Sequence, residues 1–190
     1  MKAFFREIVI TAILALVVFF GIQATVQTFV VIGPSMLPSF EDGQRILVSK
    51  VAYYLHEPER GDVVVFQSPT NRREDYIKRI IALPGDTVRV NAGAVYVNGT
   101  KLKEPYIKNP ADYTLEQLKI PENNYFVLGD NRRVSNDSHN GWLVPREKII
   151  GKAWLSIWPP NKWGPIPNYP LSEQLLVDDL QAAEILYIIR

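Results

Sequence analysis

The sequence predicts an antiparallel, mostly β domain behind one N-terminal transmembrane helix. Three observations predict it: a charge-free apolar run from Ile8 to Ile32, a series of short period-two segments between residues 45 and 158, and an Asn-Gly pair between two of those segments. About 20 apolar residues at about 1.5 Å each cross a bilayer core of about 30 Å. Period-two alternation marks strands with one face buried, and Asn-Gly favours the positive φ that a tight type I′ hairpin needs at both central positions.

Residues 1–7 form a short N-terminal segment with Lys2 and Arg6. Positive charge before the span, and Glu41 and Asp42 as the first charges after it, predict a cytoplasmic N-terminus with everything from Gly33 onward outside. The anchor is read as 8–32. A cleavable secretory signal cut after Ala24 is the competing reading, but the apolar run continues through Val26, Phe29 and Ile32, longer than a usual signal core.

The folded domain is read as 33–158, with candidate strands at Arg45–Ser49, Asp62–Phe66, Tyr76–Leu83, Thr87–Val90, Ala94–Val97, Tyr125–Leu128 and Lys148–Trp158. Asn91 to Gly93 and Asn98-Gly99 are hairpin signals. Asn98-Gly99-Thr100 is also a glycosylation sequon, which the turn explains better. Residues 159–190 make a Pro-rich connector, followed by a helix that Ser172 could cap and that places Leu176, Leu180, Ala183 and Tyr187 on one face.

Composition excludes several functions. With 21 basic and 20 acidic residues, the 190-residue chain offers no field for nucleic acid. It has no cysteine, hence no disulfide and no thiolate site, and its two histidines, His56 and His139, cannot build a multi-imidazole zinc centre. No metal and no cofactor is expected.

Three segments carry chemistry. Gly33-Pro34-Ser35-Met36-Leu37-Pro38 sets one serine between backbone-restricting residues just outside the apolar run, a signal that alone is weak and reads more simply as a polar turn joining the anchor to the domain. Tyr76-Ile77-Lys78-Arg79-Ile80-Ile81 places Lys78 and Arg79 on opposite faces of a strand, Lys78 beside Tyr76 and Ile80; an edge lysine reaching water is the plainer alternative. An ordinary lysine leaves only about one molecule in 2,500 neutral at pH 7. Burial that lowers its pKa to about 8 costs roughly 3 kcal/mol and yields an amine able to take a serine proton without histidine. Gly129-Asp130-Asn131-Arg132-Arg133-Val134-Ser135-Asn136-Asp137-Ser138-His139 reads as a polar loop, or as a source of a hydroxyl that orients the amine and a carboxylate that ties the loop down.

Together, Ser35-Met36-Leu37-Pro38, Gly61 to Phe66 (GDVVVF), Tyr76 to Asp86 (YIKRIIALPGD) and Gly129 to Ser138 (GDNRRVSNDS) resemble, in order and behind an anchor, the type I signal peptidases. These are membrane-bound Ser/Lys endopeptidases of bacteria and their organelle relatives. The resemblance runs to about Trp158. It implies an all-β, partial-barrel catalytic domain that presents strand edges to an extended peptide. It also implies Ser35 as nucleophile, Lys78 as general base, Ser135 as the hydroxyl orienting Lys78, Asp137 as a support of that loop, and Asp130 and Arg132 as residues shaping the site. Val31, Met36 and Ile77 would line shallow subsites for small residues in an Ala-X-Ala pattern. Implied partners are signal-peptide-bearing preproteins, membrane lipid and the secretion machinery; the implied location is the bacterial plasma membrane, with the catalytic domain on its outer side.

Three departures mark this chain. Gly33 stands where some members place a serine that helps the oxyanion hole, leaving the Ser35 N–H to carry more of that task, since Pro34 has no N–H. His139 stands where many have arginine after the Asp-Ser pair, a partner for Asp137 whose charge depends on pH. The segment from Glu104 to Pro121 is too short for the extra domain of larger members. Other readings are a Ser/His/Asp hydrolase with His139 as base, a self-cleaving repressor relative (which would carry a DNA-binding domain in place of the anchor), and a membrane-tethered β module that binds extended peptides without cutting them.

Overall fold

A computed structural model describes residues 2–169 and 171–175. Helix α1 (Lys2–Thr25) precedes strands β1 (Val26–Val30) and β2 (Arg45–Ser49), the short helix α2 (Ala52–Leu55), β3 (Val63–Gln67) and β4 (Asp75–Ala82). Then come β5 (Thr87–Asn91), β6 (Ala94–Val97), β7 (Thr100–Lys101), β8 (Leu115–Lys119), β9 (Asn124–Leu128), β10 (Val144–Pro145), β11 (Ile149–Trp158) and β12 (Gly164–Pro165). The fold is mostly antiparallel β with one apolar N-terminal helix. One sheet runs β1-β2-β11-β3-β4-β9-β10 with β12 on β11, and a second runs β7-β6-β5-β8.

From Phe4 to Thr25, α1 is long and apolar enough to cross a membrane, and none of it is covered by the rest of the chain. The anchor read over 8–32 is divided in the structure. The helix stops at Thr25, whose hydroxyl turns back to donate to the Gly21 carbonyl at 3.0 Å. The β-branched Val26, Thr28 and Val30 then favour an extended strand. β1 pairs with β2 from Val26 opposite Ser49 to Val30 opposite Arg45. Hydrophobicity alone does not separate a spanning helix from an apolar strand that continues it.

The continuous apolar run of β3 reflects a strand covered on both faces. Val63 and Val65 join Val31, Met36, Phe40, Ile46, Val48 and Ala153 in one core cluster. Val64 and Phe66 join Tyr53, Ile80, Tyr125, Val127 and Val144 in another. A third core lies against the small sheet and takes in Leu171 and Leu175. β5, β6 and β7 form a meander whose turns fall at Ala92-Gly93 and Asn98-Gly99, all four with positive φ. Residues 171–175 are helical. Leu176, Leu180, Ala183 and Tyr187 of the expected tail helix lie outside the described residues.

Strand β4 positions the site. Its first half, Asp75 to Arg79, pairs with β3, whereas β9 joins only from Arg79 onward. Asp75 to Lys78 therefore keep one strand edge free of β9.

Candidate active site

The turn after β1 brings Ser35 over β4. Gly33 has φ +83° and donates its N–H to Asp42 Oδ1 at 2.7 Å, which starts the turn. The loop after β9 then clamps it from three sides. Asn131 donates its backbone N–H to the Ser35 carbonyl at 3.0 Å and its side-chain amide to the Pro34 carbonyl at 3.1 Å. Ser39 donates to Asp130 Oδ2 at 2.5 Å. The contact is so close that a Cβ added to Gly129 would lie 2.5 Å from the Ser35 carbonyl oxygen and 2.3 Å from the Ser135 hydroxyl, so only glycine fits.

Lys78 is 4% exposed and its Nζ lies 2.8 Å from Ser35 Oγ and 2.9 Å from the Ile77 carbonyl oxygen. Burial lowers its pKa from 10.5 to about 8, against the opposing pull of the Asp137 and Asp130 carboxylates. In the neutral amine the lone pair can face Ser35, whose hydroxyl then donates, while an N–H keeps the Ile77 carbonyl. This is the arrangement of a nucleophile beside its base.

Asp137 is fully buried. It accepts from the Gly129 N–H at 2.9 Å and from the backbone N–H of His139 at 3.2 Å, and its Oδ1 lies 2.6 Å from His139 Nδ1. The His139 ring stacks on Tyr113 at 4.0 Å. Asp130 is held by Arg79 through two bonds of 3.0 and 2.7 Å, both partners being buried. Arg132 reaches the Gly129 carbonyl at 3.1 Å and both oxygens of Glu104, bracing the loop from below without touching Ser35 or Lys78.

Two expectations need correction. Ser135 does not orient Lys78 here, because its buried hydroxyl makes no hydrogen bond at all; the Ile77 carbonyl and Ser35 hold the amine instead. Met36 does not line a subsite. It is 0% exposed, because the turn that lifts Ser35 outward sends the next side chain into the core with Val31 and Phe40.

A cleft of about 230 Å³ opens beside Ser35 and Lys78, lined by Val31 and Ile77, and by Phe29, Val30, Ile32, Tyr76, Asp75 and Asn136, which sequence reasoning did not single out as lining. It lies between the end of β1 and the first half of β4. Asn131, Ser39 and Arg79 were also missed as supports of the site, although Asn131 and Arg79 stand inside the quoted motifs. Their polarity gave a signal, but their partners across the fold did not.

The family model described as signal peptidase, peptidase S26 matches residues 2–158. The chain is 43% identical over 142 residues to a probable signal peptidase I-1 from Synechocystis, covering 71% of this chain and 72% of that protein. It is 36% identical over 178 residues to signal peptidase IB from Staphylococcus aureus, covering 84% and 92%. A crystal structure of a signal peptidase I from Enterococcus faecalis is 33% identical, covers 51% of this chain and 97% of its own, and gives a TM-score of 0.43. With a family match from residue 2 to residue 158, which takes in the site and every strand before β12, this chain belongs to the signal peptidases of family S26, serine peptidases that cleave signal peptides from preproteins.

Proposed function

We propose that Ser35 is the nucleophile and Lys78 the general base of this signal peptidase. One observation carries the assignment: the buried Lys78 amine, with its pKa lowered to about 8, lies 2.8 Å from the Ser35 hydroxyl. The preprotein enters as an extended strand between the end of β1 and the free edge of Asp75 to Lys78, using main-chain bonds in the manner of β-augmentation. Val31 and Ile77 narrow the cleft there, which suits alanine-sized side chains in an Ala-X-Ala pattern.

Ser35 Oγ adds to the scissile carbonyl as its proton passes to neutral Lys78. The Ser35 N–H, which has no hydrogen-bond acceptor among the described residues, stabilises the oxyanion. Protonated Lys78 gives its proton to the leaving amine, and the C–N bond breaks to leave an acyl-enzyme. Water, deprotonated by Lys78, then releases the signal peptide and restores Ser35. In the charged state Lys78 has a third N–H, and the unpaired Ser135 hydroxyl is the group that can accept it after a small rotation.

The Ser/His/Asp alternative is not favoured: His139 is turned to Asp137 and stacked on Tyr113, and the basic atom at Ser35 Oγ is that of Lys78. The N-terminal helix with Lys2 and Arg6 supports anchoring in the bacterial plasma membrane, N-terminus inside and catalytic domain outside, next to lipid and the secretion machinery. Cleavage of a purified preprotein in detergent, with the new N-terminus read by mass spectrometry, tests the reading. A cut after the Ala-X-Ala site by wild type and none by Ser35→Ala is expected; cleavage by Ser35→Ala would overturn it.

A further inference from the structure

The family match ends at Trp158, yet residues 166–169 and 171–175 are packed against the β domain. Ile166 donates its N–H to the Trp154 carbonyl at 2.9 Å. Leu171 and Leu175 are buried in the core of the small sheet. Gln174 brackets the backbone of Lys103, accepting from its N–H at 2.6 Å and donating to its carbonyl at 3.1 Å. Between these anchors the backbone passes so close to the turn before β3 that a Cβ on Gly61 would lie 2.2 Å from the Tyr169 carbonyl oxygen.

Tyr169 arrives at the buried Arg79–Asp130 ion pair, which touches both catalytic segments. Its ring packs on that of Tyr106, with centroids 4.8 Å apart. The Arg79 guanidinium sits over both, 4.3 Å from Tyr106 and 5.1 Å from Tyr169. Arg79 follows Lys78 in β4, and it holds Asp130, which in turn fixes Ser39 of the nucleophile turn. A ring on a desolvated guanidinium both screens it from water and favours its charge.

We propose that residues 166–169 and 171–175 are a strap that positions the catalytic pair, with Tyr169 as its positioning residue acting through Arg79 and Asp130 on the turn that carries Ser35. The strap touches neither Ser35 nor Lys78. Its effect is on their alignment, so it falls on turnover and not on binding in the cleft. The inference rests on the assignment of Ser35 and Lys78.

The test compares full-length Tyr169→Phe, Tyr169→Leu and Lys78→Ala on the same preprotein in detergent, with kcat, KM and the thermal midpoint measured for each. Phenylalanine keeps the ring and is expected within about twofold of wild type; leucine fills space without a π face and is expected to lower kcat about tenfold with KM within about twofold. Wild-type kcat in Tyr169→Leu, or a raised KM at unchanged kcat, would overturn the strap while leaving the catalytic pair in place. Activity in Lys78→Ala would instead overturn the assignment beneath it. Should Tyr169→Leu not fold, Gln174→Ala, which loosens the strap without contacting Arg79, is expected to lower kcat about threefold, and an unchanged kcat would overturn the proposal.

Discussion

Lys78 turns stability into reactivity. Its folded pKa of about 8 lies below its ordinary 10.5, so the unfolded chain binds more protons between those values and stability rises with pH across that window. Below pH 8 the full burial cost of about 3 kcal/mol is present. Lys78→Met, which removes the charge but keeps the volume, is expected to stabilise the protein by about 1–3 kcal/mol at pH 7, a gain that shrinks as pH approaches 10.5. Denaturant unfolding at pH 7 and pH 10 checks this. The same titration is expected to set the acid limb of kcat/KM, climbing about tenfold per pH unit and levelling near pH 8, which initial rates from pH 6 to pH 10 check. Gly129→Ala pushes a methyl group against Ser135 and the Ser35 carbonyl, and is expected to cost at least about tenfold in kcat even where the protein folds. Ser35 and Lys78 could be singled out in the sequence because each stands in a quoted motif, Ser35-Met36-Leu37-Pro38 and Tyr76 to Asp86, and the fold sets them 2.8 Å apart. The orphan hydroxyl of Ser135, the burial of Met36 and the clamp by Asn131 could not, because each depends on how the turn near residue 35 packs, Met36 into the core with Val31 and Phe40 and the other two where that turn meets the loop near residue 131.

At the scale of elements, local pattern sufficed wherever a strand had one wet face or was wrapped on both. Arg45–Ser49 and Ala94–Val97 fall where alternation puts them, and Asn98-Gly99 turns the chain with φ +52° and +88°. Gly99→Ala is expected to cost about 1–2 kcal/mol, read as a lower thermal midpoint with kcat unchanged, because alanine disfavours that backbone region. β1 was hidden by its continuity with the apolar helix. β8 was hidden by its polarity, since Glu116, Gln117 and Lys119 leave only Leu115 and Leu118 half-buried. β4 gives the clearest functional consequence of pairing: the half with no β9 neighbour carries Ile77 and Lys78. Ile77→Ala widens the cleft, and is expected to raise kcat/KM about tenfold for a preprotein with valine in place of its critical alanines, relative to the alanine substrate. Equal discrimination by wild type and Ile77→Ala in a competition assay would remove Ile77 from the subsite.

For the whole molecule, the apolar helix α1 ends ten residues before Ser35, so the proposed nucleophile lies close along the chain to the end of that helix. That geometry suits a substrate whose own signal helix lies in the same bilayer. The large sheet has β1 at its edge and β12 beside β11, and the Tyr169 ring lies against the Arg79 guanidinium of the Arg79–Asp130 pair. The account turns on which side chain activates Ser35. The most direct measurement is cleavage of a preprotein in detergent by wild type, Lys78→Ala and His139→Ala from pH 6 to pH 10. Loss of at least about 10³-fold in Lys78→Ala, with cleavage retained in His139→Ala on a displaced pH profile, is the predicted result. Cleavage by Lys78→Ala together with a dead His139→Ala would contradict it and make the imidazole the base.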